Sequence, residues 1–71
     1  MNLQKLLEYI FTYQAVELWD ASNSHETIIK VKDKTEIPTK YLNCKIEPNG
    51  IISNYNGMGS QSVIVISIIT E

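Results

Sequence analysis

Arginine is absent from this 71-residue chain, which sets six lysines against eight acids for a formal charge of −2. Arginine is the side chain that forks onto guanine and phosphate, and no basic stripe replaces it. The chain therefore lacks the electrostatic footprint of a nucleic-acid binder, and nucleic acid is not an expected partner. The acids are equally too few for a nucleic-acid mimic that competes for a basic groove. Cysteine is nearly absent as well. Cys44 stands alone, so no intrachain disulfide can form, and with His25 as the single histidine a four-ligand structural zinc cannot be completed. No metal or other cofactor is expected. Domains shorter than roughly 70 to 80 residues usually need a disulfide, a metal or a partner subunit for stability. With the first two missing, a homodimer is the expected staple.

Long hydrophobic segments are also missing. A bilayer-spanning helix needs about 20 apolar residues, and the longest apolar run here falls well short of that. The first residues lead into a stretch broken by Glu8 with no small-residue cleavage site, unlike a signal peptide. With no glycosylation sequon and one thiol, the expected compartment is the cytoplasm, with no membrane partner.

The strongest positive feature is Val63-Ile64-Val65-Ile66-Ser67-Ile68-Ile69. Six of its seven side chains are apolar and most are β-branched, which predicts a strand buried on both faces. Earlier in the chain, Leu3, Leu6, Leu7 and Ile10 repeat at i, i+3, i+4 and i+7, the spacing of one helix face. Asn2 is suited to cap that helix, predicted over residues 2–12. Residues 14–20 alternate, with Val16 and Leu18 on one face and Ala15, Glu17 and Trp19 on the other. After the turn formers Ala21 to His25, the alternation resumes over 26–32 and predicts a hairpin. Residues 32–36 form a charged connection, and Ile37 to Leu42 reads as one helical turn with Pro38 at its start and Tyr41 and Leu42 dipping into the core.

Residues 44–55 are strand-like, with Asn49-Gly50 either closing a two-residue hairpin or forming a bulge in one long strand beside Pro48. Asn56-Gly57 falls within a longer loop, 54–61, ahead of a last strand over 62–69. The order predicts one α+β domain over residues 1–71. In it an N-terminal helix packs on a bent antiparallel sheet of four or five strands, open or closed as a small barrel.

Residues that carry chemistry are sparse. Cys44 and His25 are the only pair suggesting nucleophilic catalysis, but their spacing supports no activated thiolate, and no catalytic residue is assigned. The Gly57-Met58-Gly59-Ser60 segment could cradle an anion. It feeds a strand, however, rather than a helix N-terminus, and it carries no lysine. A partner-contacting loop tipped by Met58 is the alternative to a plain connection. Trp19 shares a strand face with Glu17, and a one-sided sheet would expose it as an interface anchor, whereas a covered face would make it core. The aromatic residues Tyr9, Phe11, Tyr13, Tyr41 and Tyr55 are scattered rather than arrayed for base stacking. Trp19, Tyr55 and Met58 are the candidate partner-binding residues.

The segment Glu36-Ile37-Pro38-Thr39-Lys40-Tyr41-Leu42-Asn43-Cys44-Lys45-Ile46 follows an amphipathic helix and a Val-Glu-Leu-Trp-Asp strand and precedes Val-Ile-Val-Ile. This arrangement resembles small uncharacterised proteins encoded by phages and mobile elements of Gram-positive bacteria. The resemblance transfers no functional residue. It implies a setting in which small single-domain phage proteins bind and redirect host proteins, including immunity effectors such as CRISPR nucleases. The expected function is thus a non-enzymatic module that binds an unidentified host protein. A small barrel that holds nucleic acid or a nucleotide is the alternative.

Overall fold

The computed structural model describes residues 1–56 and 62–70. A short helix, α1 (Leu3–Leu7), precedes four strands: β1 (Ala15–Asp20), β2 (Glu26–Val31), β3 (Lys45–Asn56) and β4 (Ser62–Ile69). Short 3-10 turns at Ala21–Asn23, Lys34–Glu36 and Thr39–Tyr41 fill the connections. The strands form one sheet in the order β2-β1-β4-β3.

The sheet is mixed, which corrects the expected all-antiparallel arrangement. β1 pairs antiparallel with β2, and β3 antiparallel with β4, but β1 and β4 run parallel with Ala15 opposite Val63 and Leu18 opposite Ile66. The chain leaves the β2 edge, crosses to the far edge as β3, and turns back into the middle as β4. The barrel is not formed either: among the described residues β2 and β3 are opposite edges of an open sheet.

A central position explains the composition of β4. Ile66 and Ile68 are fully buried on the α1 side with Leu3, Leu7, Val16, Leu18, Val31 and Ile37, while Val63 and Val65 are buried on the other face. Tyr41 and Leu42 pack against the α1-side core, as the sequence suggests.

Helix α1 stops at Leu7, well short of the predicted residue 12. Asn2 caps its start, with Oδ1 accepting from the Lys5 amide at 2.9 Å. Beyond Leu7 lie Tyr9, Ile10, Phe11 and Thr12, which lose side-chain freedom in a helix, and the backbone tightens to i→i−3 bonds from Tyr9 to Leu6 and from Ile10 to Leu7. The ammonium of Lys34 then donates to the carbonyls of Leu7 (2.6 Å) and Ile10 (2.8 Å). A lysine on the last carbonyls is a recognised way to end a helix. It arrives here from a distant 3-10 turn, a tertiary contact that periodicity does not reveal.

β3 is one strand, which decides between the two readings of Asn49-Gly50. It advances from Ile46 to Ile51 while its partner advances only from Ile68 to Ile66, so Glu47 to Gly50 bulge out of the ladder. Asn49 takes a left-handed φ of 60°. A second irregularity lies between Ile52 and Tyr55. The outer edge of β3 is covered at its start by the N-terminal residues: Asn2 bridges to Lys45, and the Leu3 amide donates to the Cys44 carbonyl at 2.9 Å.

Candidate functional site

The sheet face turned away from α1 holds most of the polar chemistry. The parallel register sets Ala15, Glu17 and Trp19 of β1 beside Val63, Val65 and Ser67 of β4. Glu17 is buried at 7% exposure, and a buried carboxylate demands hydrogen-bonding partners. Trp19 Nε1 donates to its Oε2 at 2.6 Å, Thr27 Oγ1 donates to the same oxygen at 3.1 Å, and the Lys30 ammonium lies 4.0 Å from Oε1. Trp19 itself is half-buried. Its ring is tied to the sheet by the indole N–H and retains solvent access.

A second network spans β4. The Ser67 hydroxyl donates to Glu47 Oε2 at 2.7 Å, and His25 Nε2 lies 2.8 Å from that same oxygen. Two consecutive left-handed residues, Ser24 (φ 57°) and His25 (φ 59°), carry the imidazole on the β1–β2 turn. The bulge of β3 supplies Glu47. Serine, histidine and a carboxylate are thus together, but the carboxylate sits in the middle. Nucleophile activation needs the imidazole on the hydroxyl, with the acid behind it. In this order the cluster fastens the β1–β2 turn and the bulge across β4.

Those bonds hold the Glu47 carboxyl below its ordinary value of 4.5, the Ser67 hydroxyl contributing most and His25 next, against a smaller opposing effect of desolvation. A folded pKa below the unfolded one adds stability that is fully present above the unfolded value and is lost as pH falls through the folded value. Glu47→Gln is therefore expected to flatten the decline in stability below about pH 4.5, read as urea midpoints between about pH 3 and pH 7. An acid limb identical to that of the parent chain would show that the carboxylate bonds do not persist in solution.

Cys44 and His25 are not brought together. Cys44 is half-buried in a groove of about 310 Å³ lined by Lys40, Asn43, Lys45, Ile69 and Thr70, while the His25 ring is engaged by Glu47. Among the described residues no three histidine, cysteine or acidic side chains group as a metal site. No helix among them is long and apolar enough to cross a membrane.

Of the candidate partner-binding residues, Trp19 is placed as above. Tyr55 is placed by its backbone, opposite Val63. Met58 and the rest of the Gly57-Met58-Gly59-Ser60 segment lie outside the described residues.

Sequence reasoning overlooked Tyr9, Phe11 and Tyr13 as a group. They are 77%, 71% and 74% exposed, and Phe11 and Tyr13 meet edge to face with centroids 5.6 Å apart. The overlooked signal is their i, i+2, i+4 spacing in a stretch with no charged residue from Tyr9 to Val16. No protein-family model, curated protein or solved structure matches this chain.

Proposed function

We propose that this protein is a non-enzymatic interaction module that docks on another protein by adding a strand to the open edge of its sheet. The observation that carries the reading is the outer side of β2. Among the described residues no strand pairs there, whereas β3 has the N-terminal residues laid along its start and a bulge at Glu47 to Gly50. An unpaired edge offers backbone donors and acceptors to an extended segment. The exposed Glu26 and Lys30, with a register shift opposite Leu18 and Trp19, restrict which strands fit and limit indiscriminate pairing. Trp19 lies one strand inward, opposite Thr27, where a half-exposed indole serves as an anchor. In line with the resemblance to phage proteins, the partner would be a host protein such as an immunity effector.

A photo-reactive benzophenone side chain placed at Lys30, on the edge, and at Thr39, an exposed position on a 3-10 turn, tests the reading in lysate of a Gram-positive host. The expected result is a discrete cross-linked species from position 30 and none from position 39. Equal labelling from both positions, or none from position 30, would reject edge docking.

A further inference from the structure

We propose that the groove beside Cys44 is a binding site for a small organic phosphate monoester, whose dianionic head meets Lys40 and Lys45. Lys45 begins β3 and Ile69 ends β4, so the groove lies across the sheet from the β2 edge and is independent of the docking described above.

The groove holds about 310 Å³ and is lined by Lys40, Asn43, Cys44, Lys45, Ile69 and Thr70. That volume is at the small end of ligand pockets, which suits a small metabolite rather than a large cofactor. None of these residues is acidic, and among the described residues neither lysine reaches a carboxylate: the ion pairs there join His25 to Glu47 and Lys30 to Glu17. In a chain with eight acids to six lysines, two ammonium groups thus line one concavity without a counter-charge. Concave walls of low dielectric concentrate such a field and raise the local concentration of anions.

The donors also select the kind of anion. Lysine meets an anion as a point charge with freely rotating donors rather than through the planar fork of arginine. Two such charges arriving from different elements match a tetrahedral head that carries nearly two negative charges and three acceptor oxygens. A carboxylate would answer only one of them. The exposed Asn43 side-chain amide, bonded to nothing else among the described residues, adds further donors. Ile69 and the half-buried Cys44 give the organic part of the ester an apolar wall.

The lining is built in advance. Lys40 rides on the Thr39–Tyr41 turn, where the Leu42 amide donates to Thr39 at 3.1 Å and the Cys44 amide to Tyr41 at 3.0 Å. Its ammonium lies 5.1 Å from the centre of the Tyr41 ring, a cation–π contact that steadies the side chain. Lys45 sits opposite Ile69 on the ladder, and the carbonyl of its neighbour Cys44 accepts from the Leu3 amide at 2.9 Å. Binding therefore orders little beyond two side-chain ends.

An amide chemical-shift titration of the full chain with phenyl phosphate tests the proposal. Shifts are expected at Lys40, Asn43, Cys44, Lys45 and Thr70, saturating with a dissociation constant of about 0.1 to 2 mM, and none at Lys30 or Lys32, on β2 and just after it. Lys40→Gln together with Lys45→Gln should weaken binding at least about tenfold, and Lys40→Gln alone at least about threefold, with the amide spectrum otherwise that of the parent. Lys32→Gln, which removes a charge elsewhere, should leave binding within about twofold. Inorganic phosphate and phenol, titrated separately, should each bind more weakly than the ester. Shifts that fail to saturate by about 20 mM, that appear equally at Lys30 and Lys32, or that survive the double substitution would overturn the proposal. Inorganic phosphate binding as tightly as phenyl phosphate would overturn the assignment to an ester.

Discussion

Replacing Gly50 by alanine is expected to destabilise the protein by about 2 to 4 kcal/mol, near the upper end of what overpacking costs. A methyl group there would sit 2.7 Å from the Glu47 carbonyl oxygen and 2.8 Å from that of Ser67, with Glu47 Cβ at 3.0 Å. Both oxygens belong to backbone, one within the bulge of β3 and one in the central strand, so neither can rotate away. Relief has to come from opening the bulge or parting β3 from β4, and either breaks the Ser67–Glu47–His25 tie. A domain of this size has only about 4 to 10 kcal/mol to lose. The expected fall in Tm is therefore about 10 to 25 °C. Calorimetry decides it, and a Tm within about 3 °C of the parent would mean that the bulge yields freely.

The second large effect is expected at Glu17. Glu17→Ala removes a buried carboxylate and strands the Trp19 indole N–H and the Thr27 hydroxyl that donate to it. Trp19 is half-exposed and Thr27 exposed, so water takes up part of the loss, and the expected cost is about 2 to 3 kcal/mol. Glu17→Gln retains an oxygen able to accept from Trp19 and is expected to cost about 1 to 2 kcal/mol. Urea denaturation followed by Trp19 emission orders the two variants. Equal losses would show that shape rather than hydrogen bonding determines this position. The same experiment bears on Trp19 itself: a large loss in Glu17→Ala makes the indole a tethered part of the sheet, whose outer face alone is available to a partner.

How far the sequence discloses this molecule depends on the range of the interaction. The two-sided apolar run at 63–69 marks a central strand because Val and Ile on both faces report burial directly. The shared face of Glu17 and Trp19 follows from period-two alternation, and their hydrogen bond spans only two residues. Interactions between distant positions leave no such trace. Nothing in the local pattern says that β1 and β4 run parallel, since antiparallel pairing would bury the same faces. The early end of α1 depends on Lys34, and the Ser67–Glu47–His25 cluster draws on three separate elements. Asn49-Gly50 fits a hairpin or a bulge equally well until the approach of the Ser67 carbonyl is known. The exposed aromatic segment escaped notice because Tyr9 and Phe11 sit where a longer helix was expected, and alternation is not a helical signal.

The central position of β4 also bears on how the molecule comes to be assembled. Gln14 donates to the Ser62 carbonyl at 2.9 Å across 48 residues of chain, and the parallel seam continues from that point. Contacts of such long sequence separation require loop closure before any reward, and they slow folding relative to local structure. During synthesis, α1, the β1–β2 hairpin and β3 leave the ribosome before the strand that joins them. Until β4 arrives, Val16 and Leu18 have no neighbour on that flank, and the nascent chain displays a half-sheet whose open seam is the sticky part. How long this seam stays open during folding, and with it the chance of aggregation, depends on how quickly one strand finds the gap between two others.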